Sequence, residues 1–309
     1  MYKSEVIGKG NIRSRVVADS IANGVRLTTL ELRYPRFIHS EFMTHRLFSR
    51  NASSSRAIPV AKMIEQVEND PAMPIFWGKN QPGMQAREEC DDEVSGPYTV
   101  GTAEEIWREY ATGDCVSYAK AFDKANYHKQ IVNRLLEPFQ FISVVCTATE
   151  WDNFFKLRLH SDAQPEICEL ARVMKESMEK SEPDELEFGD LHLPYVEKDS
   201  FNDYDEHGEI DKFDLESAIK ASVARCARVS YLNHDKTQPD IEKDIRLHDM
   251  LLESGHFSPF EHVASPMSHT TEIGSKGWWR HEKGYTHSDR KGNLWSGNFR
   301  GFLQYRQML

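Results

Sequence analysis

Apolar and polar positions alternate along Val25, Leu27, Thr29 and their neighbours, which predicts a strand over residues 25–34, ended by Tyr34-Pro35. Residues 36–48 predict a helix with Phe37, Ile38, Phe42 and Met43 on its apolar side, followed by a polar loop from Ser49 to Ser55. Helical spacing returns over residues 103–136, and Phe141 to Thr147 is a short β-branched run expected to be a buried strand. Thr149-Glu150-Trp151-Asp152 has the form of a helix start with Thr149 as cap, and that helix should reach about Leu159. The next helix is expected from Ser161 or Asp162, with Pro165 tolerated in its first turn. Residues 214–231 read as helix. Pro239 to Ser254 reads as an amphipathic helix with Ile241, Ile245, His248 and Leu252 on one side and Gly255 as its stop.

The remaining stretches break these patterns. Residues 70–100 carry Pro71, Pro74, Pro82, Gly83, Gly96 and Pro97 around an acidic run from Glu88 to Glu93, residues 181–213 are acidic and turn-rich, and residues 268–298 fit no period. There is no internal repeat. The expectation is a single domain over 1–309 with insertions near 70–100, 181–213 and 268–298.

Composition narrows the function. Hydrophobic residues at 39% against 28% charged suit a folded core. A formal net charge of -11 disfavours a nucleic-acid polymer as partner, while a small anion held by local arginines stays compatible with it. No apolar run has the length of a membrane span, and Met1 to Gly10 lacks the apolar core of a signal peptide, so a cytoplasmic protein without membrane contact is expected. Cys90, Cys115, Cys146, Cys168 and Cys226 are odd in number and scattered, which suits free thiols.

Three groups of residues could carry chemistry. Thr44-His45-Arg46 runs into Asn51, Ser53, Ser54, Ser55 and Arg56: guanidinium forks beside hydroxyls are what phosphate recognition needs, although a solvated Ser-rich loop has the same look. Gly255 to His262 fits a capping box from Ser258 to Glu261 with Pro259 at the first helical position and His256 just outside. His256, His262 and His269 lack metal-ligand spacing, so no metal is expected. Asn153 and Leu157 share a helix face, and Arg158 stands near the start of the following helix, where an anion would be favoured; the same arginine would also complement its own helix dipole.

Together these pieces resemble the flavin-dependent thymidylate synthases. Thr44-His45-Arg46, seven residues and Ser54 stand in place of the family's R-H-R-x7-S signature; Asn153-Phe154-Phe155-Lys156-Leu157-Arg158 is similar to its N-F-x-x-L-R helix, continued by Ala163-Gln164-x-Glu166. Arg225-Cys226-Ala227-Arg228-Val229-Ser230 and Leu251 to His262 resemble its A-R-V-S and L-x-x-x-G-H-x-[ST]-P-F-E-H stretches. In the family the last two pieces come first, so the chain reads as circularly permuted. Thr44 replaces the first signature arginine, Ala52 an acidic position, Thr147-Ala148-Thr149 the family's N-x-R, and Asp162 a histidine. Asn298 to Arg306 is the candidate for supplying replacement contacts.

The resemblance implies an α+β fold, a mostly antiparallel central sheet flanked by helices. It implies methylation of dUMP to dTMP with FAD, methylenetetrahydrofolate as one-carbon donor and NADPH as reductant, in a homotetramer whose sites are shared between subunits. Arg158 and His256 would be catalytic. His45, Arg46, Asn51, Asn153, Leu157, Ser230, Ser258 and Glu261 would contact FAD. Glu41, Ser53, Ser54, Ser55, Arg56, Arg134 and Arg158 would bind dUMP. No cysteine is needed as nucleophile. A pyrimidine nucleotide hydroxymethylase and a catalytically silent flavin- or nucleotide-binding protein are the competing readings.

Overall fold

The computed structural model describes residues 2–197, 201–204, 210–230, 240–267 and 283–309. The N-terminal strands β1 (Ser4–Ile7) and β2 (Arg13–Ala22) pair antiparallel, and β2 turns into β3 (Val25–Pro35). Asn23 and Gly24 make that turn at φ 55° and 73°, the left-handed pair that a two-residue hairpin demands. β4 (Ser49–Ala52) and β5 (Phe141–Ala148) complete the antiparallel path β1-β2-β3-β5-β4, and the short β6 (Asp184–Glu185) adds parallel to β2. The architecture is the expected mixed α+β one with a mostly antiparallel sheet.

Alternation gives the sheet two different faces. Leu30, Leu32 and Tyr34 of β3 and Ile142, Val144 and Cys146 of β5 enter one apolar core with Phe42, Phe48 and Phe154. α1 (His39–Phe42), α2 (Val60–Asn69), α3 (Thr112–Lys124), α4 (Asp152–Arg158) and α5 (Pro165–Glu179) follow in chain order. α5 lays Ile167, Leu170 and Met174 on this face, while α2 and α3 build a smaller core around Val67, Val116 and Leu136. The register places the other residues of each strand in rows on the opposite face: Arg13, Arg33 and Ser143; then Arg15, Glu31, Val145 and Asn51; then Thr29, Thr147 and Ser49.

The second half of the chain covers part of that opposite face. α6 (Leu215–Ala227) sets Cys226 and the following Val229 against Val145. α7 (Ile241–Glu253) joins α6 through an ion pair: Arg225 donates to Asp244 at 2.9 Å, Arg228 bonds its other oxygen, and Asp244 is fully buried. That anchor rotates α7 away from the expected stripe. Asp244 and His248 are buried, whereas Ile241 and Leu252 face solvent. Gly255, at φ 72°, stops the helix; the amides of Gly255 and His256 return to the carbonyls of Leu252 and Leu251. β7 (Ala264–Pro266) then pairs with β8 (Phe302–Gln304).

Three local expectations need correction. Residues 36–48 form only a 3-10 turn at Arg36–Ile38 and the short α1. Thr149 does not cap α4; its hydroxyl accepts from the Arg300 amide at 3.0 Å. Ser258 does not cap a helix either: Ser258–Glu261 is a 3-10 turn, and the serine hydroxyl donates to Asn51. In both cases a long-range partner outcompetes the local bond.

A buried chain of hydrogen bonds ties the two halves together. Ser20 meets His192 Nδ1 at 2.8 Å, His192 Nε2 meets Thr29 at 2.7 Å, Thr29 meets Thr147 at 2.7 Å, and Thr147 meets His262 Nδ1 at 2.8 Å. Burial pushes both imidazoles down to about 3, so each is neutral; His192 gives one proton and takes another, while His262 is held through Nδ1, its Nε2 having no hydrogen-bond partner among the described residues. An unfolded chain binds those protons from about pH 6.5 downward, so stability should fall as pH drops below that value, until the folded-state pKa is reached. Each histidine contributes a slope of up to about 1.4 kcal/mol per pH unit. Urea denaturation between pH 7 and pH 4.5 should show it, and His262→Gln should flatten the dependence by up to that one increment; an unchanged slope would remove His262 from the account.

Candidate active site

The residues after α1 and the exposed side of α4 enclose a cleft of 190 Å³ on the helix-bearing side of the sheet. Thr44, His45, Arg46 and Phe48 form one wall; Glu150, Asn153, Leu157 and Arg158 form the other. The Phe42, Phe48 and Phe154 rings pack beneath it, Phe154 edge-on to His45 at 4.8 Å, so burying one apolar cluster sets the position of both walls.

Arg158 is the hub. Its Nε donates to His45 Nε2 at 2.9 Å, its Nη2 reaches Thr44 Oγ1 at 3.4 Å, and Nη1 stands 3.5 Å from the Glu41 carboxylate. Thr44 therefore faces the same guanidinium that the rest of the motif serves. Burial, the Arg158 charge and Arg50 together lower His45 to about 4. The imidazole is neutral at pH 7, and because Nε2 accepts from a guanidinium, the proton must be on Nδ1.

Other expected site residues stand elsewhere. Asn51 points to the opposite face, where it donates to the Cys226 carbonyl at 2.8 Å and accepts from Ser258 at 3.0 Å. This contact joins the signature segment to Gly255–His262 across the length of the chain. Glu261 pairs with Arg306, and its carbonyl accepts from Gln304. Gln304 also bonds Ser49 and Asn298. His256 is exposed and bonds Ser254 at 2.8 Å, away from Arg158. The side chain of Ser230 lies outside the described residues.

The proposed nucleotide loop is likewise divided. Ser53 bonds Ser143 on the opposite face, Ser55 is buried with its carbonyl held by Asn133, Ser54 accepts from the Arg56 amide, and Arg134 pairs with Glu137 at 2.6 Å. Within one chain, then, the structure gathers Glu41, His45, Arg46, Asn153, Leu157 and Arg158, and leaves the other expected contacts apart.

Sequence reasoning missed two neighbours. Glu150 lines the cleft and receives Arg300 Nε at 2.5 Å, so the C-terminal segment reaches the cleft's edge. Arg50 contributes charge to His45. The early signals were the loss of the N-x-R arginine and the Asn298–Arg306 segment, whose Arg300 is the cation that meets Glu150. A larger cavity of 920 Å³ lies beyond the α4–α5 loop, walled by Phe37, Phe76, Trp107 and Gln164, but it shares no lining residue with the Arg158 cleft. At its edge Glu166 accepts from the Ile75 amide at 2.9 Å, fastening the segment after α2 to the start of α5.

An α+β sheet protein with a cationic cleft built on a neutral imidazole is the class this geometry defines. The chain belongs to the thymidylate synthase complementing protein family, whose model matches residues 19–184, the flavin-dependent family its motifs resemble. The match includes the Arg158 cleft and ends before Arg225 and Gly255–His262. Among solved structures, the chain is similar to thymidylate synthase X from Helicobacter pylori with FAD and dUMP, at 11% identity over 49% of this chain and 67% of that one, TM-score 0.34. It is also similar to the UMP/dUMP methylase PolB from Streptomyces cacaoi bound with 5-Br UMP, at 15% identity over 57% and 92%, TM-score 0.39. No curated protein matched.

Replacing Arg158 by Ala removes both a charge and a donor from His45. The His45 pKa should rise from about 4 toward, though not to, its ordinary value, since burial remains the larger cause. Imidazole NMR titration measures this; a pKa that stays at 4 would mean that Arg158 does not act on His45.

Proposed function

We propose that this protein methylates dUMP to dTMP with FAD, methylenetetrahydrofolate and NADPH. The observation that carries the reading is the Arg158–His45 pair in a cleft shared with Arg46, Asn153 and Leu157, in a chain of this family. The donor set fits one portion of the flavin nucleotide: Arg46 and Asn153 suit phosphate or ribose oxygens, and Leu157 and Phe154 suit an apolar ring edge. A space of 190 Å³ holds one part of such a ligand. Asn51, Ser258 and Glu261, on the opposite face, would hold another part from a second copy, in line with the homotetramer of shared sites that the family resemblance implies. His256, exposed in the single chain, would meet the flavin in the same way.

FAD, when bound, supplies the one-carbon transfer and the hydride. The chain's own residues orient and polarise. Arg158, held in place by His45, presents guanidinium hydrogens to the uracil carbonyls and stabilises negative charge that develops there. Glu41 keeps that guanidinium turned toward the cleft. Ser54, Arg56 and Arg134 are exposed and would bind the dUMP phosphate in the assembled oligomer, whereas the Ser55 side chain is buried. A cysteine route has little support: burial raises the thiols of Cys146 and Cys226 far above neutrality, and Cys115 and Cys168 are raised too.

Arg158→Ala should keep bound flavin and lose dUMP turnover, at a cost of about 2–5 kcal/mol in transition-state stabilisation. Steady-state kinetics on flavin-loaded protein tests this, and chromatography of the product separates a methyl from a hydroxymethyl outcome. Wild-type protein that binds no flavin would sink the proposal.

Each cysteine replaced singly by Ala or Ser should leave turnover in place, apart from packing losses at Cys146 and Cys226. A folded, flavin-loaded variant without activity would instead identify a nucleophile.

A further inference from the structure

The open end of the sheet's opposite face holds a second cleft of 360 Å³. Its floor is the row Arg13, Arg33 and Ser143, extended by Ser53; α2 contributes Lys62 to one wall, and Val229 closes the other side. The lining holds four cations, Arg13, Arg15, Arg33 and Lys62, against two carboxylates, Glu31 and Asp70, in a chain whose net charge is -11.

Both carboxylates are already engaged. Glu31 accepts from Arg15 at 3.2 Å and from Tyr195 at 2.9 Å; Asp70 accepts from Arg33 at 2.5 Å and from Asn11 at 2.8 Å. Arg33 also lies over the Phe141 ring at 3.6 Å, which fixes its plane. Among the described residues the surplus therefore falls on Lys62, while Arg13 shares Glu5 with Arg15. Arg13 Nη2 donates to Asn11 at 3.3 Å, while its Nε is buried and has no hydrogen-bond partner among the described residues; Glu5, bonded to Arg15, stands 3.7 Å from that Nε. Ser53 Oγ accepts from the Ser143 amide, so its own proton remains to be given. An unused guanidinium N–H, an ammonium and a hydroxyl donor, with one positive charge over among the described residues once Glu5 is counted, match an anion with several acceptor oxygens.

We propose that this cleft binds the phosphate group of a phosphate monoester, separately from the Arg158 cleft on the other side of the sheet. The test is calorimetric titration of the full-length protein with ribose 5-phosphate, with inorganic phosphate as competitor and glutarate as a dicarboxylate control. Saturable binding of ribose 5-phosphate, displaced by phosphate and not matched by glutarate, is expected. Affinity should fall at least about tenfold in Lys62→Gln and in Arg13→Gln, the loss of a charge-assisted contact, and stay within about twofold in Arg158→Ala. Lys62 is half-buried on a helix surface, so its variant carries the test even where Arg13→Gln fails to fold. No saturable binding, equal binding of glutarate, or a loss seen in Arg158→Ala and not in Lys62→Gln would overturn the proposal. Because none of these readouts involves flavin or turnover, a failure here leaves the methylation reading to be judged by its own experiments.

Discussion

The placing of the Gly255–His262 turn on the sheet depends on one run of buried hydrogen bonds, from Ser20 through His192, Thr29 and Thr147 to His262. The strands beneath it would form without it, since their register is fixed by the β2–β3 turn and by an apolar core on the other face. What the run decides is where the Gly255–His262 turn comes to rest. Polar atoms buried at this depth cost more unpaired than they return when paired, so there is one acceptable arrangement and slippage by one row is penalised. Ser258 reaches Asn51 because His262 is already seated on Thr147.

The same seating explains why candidate residues that look like one site in the sequence fall on two sides of a sheet. β4 carries Arg50 toward the helices and Asn51 away from them. His45 and Arg158 meet on the helix side, packed on phenylalanines, while Asn51 and Ser258 meet behind. A ligand larger than the Arg158 cleft must either bend around the β4 edge or take its second half from a neighbouring copy. The proposal of shared sites uses the second route.

Much of this was legible in the residues. The strand at Val25–Pro35, the strand at Phe141–Ala148, the Pro165 helix and the Gly255 stop follow from alternation, β-branching and φ preference, all local properties. The β2–β3 hairpin was missed although Asn23-Gly24 announces its turn. Errors at Thr149 and Ser258 have a common cause: a hydroxyl beside a helix start looks like a cap, and only the tertiary structure reveals a better partner at Arg300 or Asn51. His192 lay in a stretch that composition marks as solvated, and no local pattern says that one histidine in it will be buried. Motif matching found the Arg158 hub but could not say which neighbours share its face, because facing is decided by register.

That register gives the seven-residue spacing between Arg46 and Ser54 a meaning beyond distance. Positions along β4 alternate, so what inheritance must conserve there is parity. Substitutions within Ser49–Ala52 can be absorbed one at a time, whereas the gain or loss of a single residue would exchange the two faces and send Asn51 inward and Arg50 out. Lineages carrying this chain should therefore vary in the letters of this short strand well before they vary in its length.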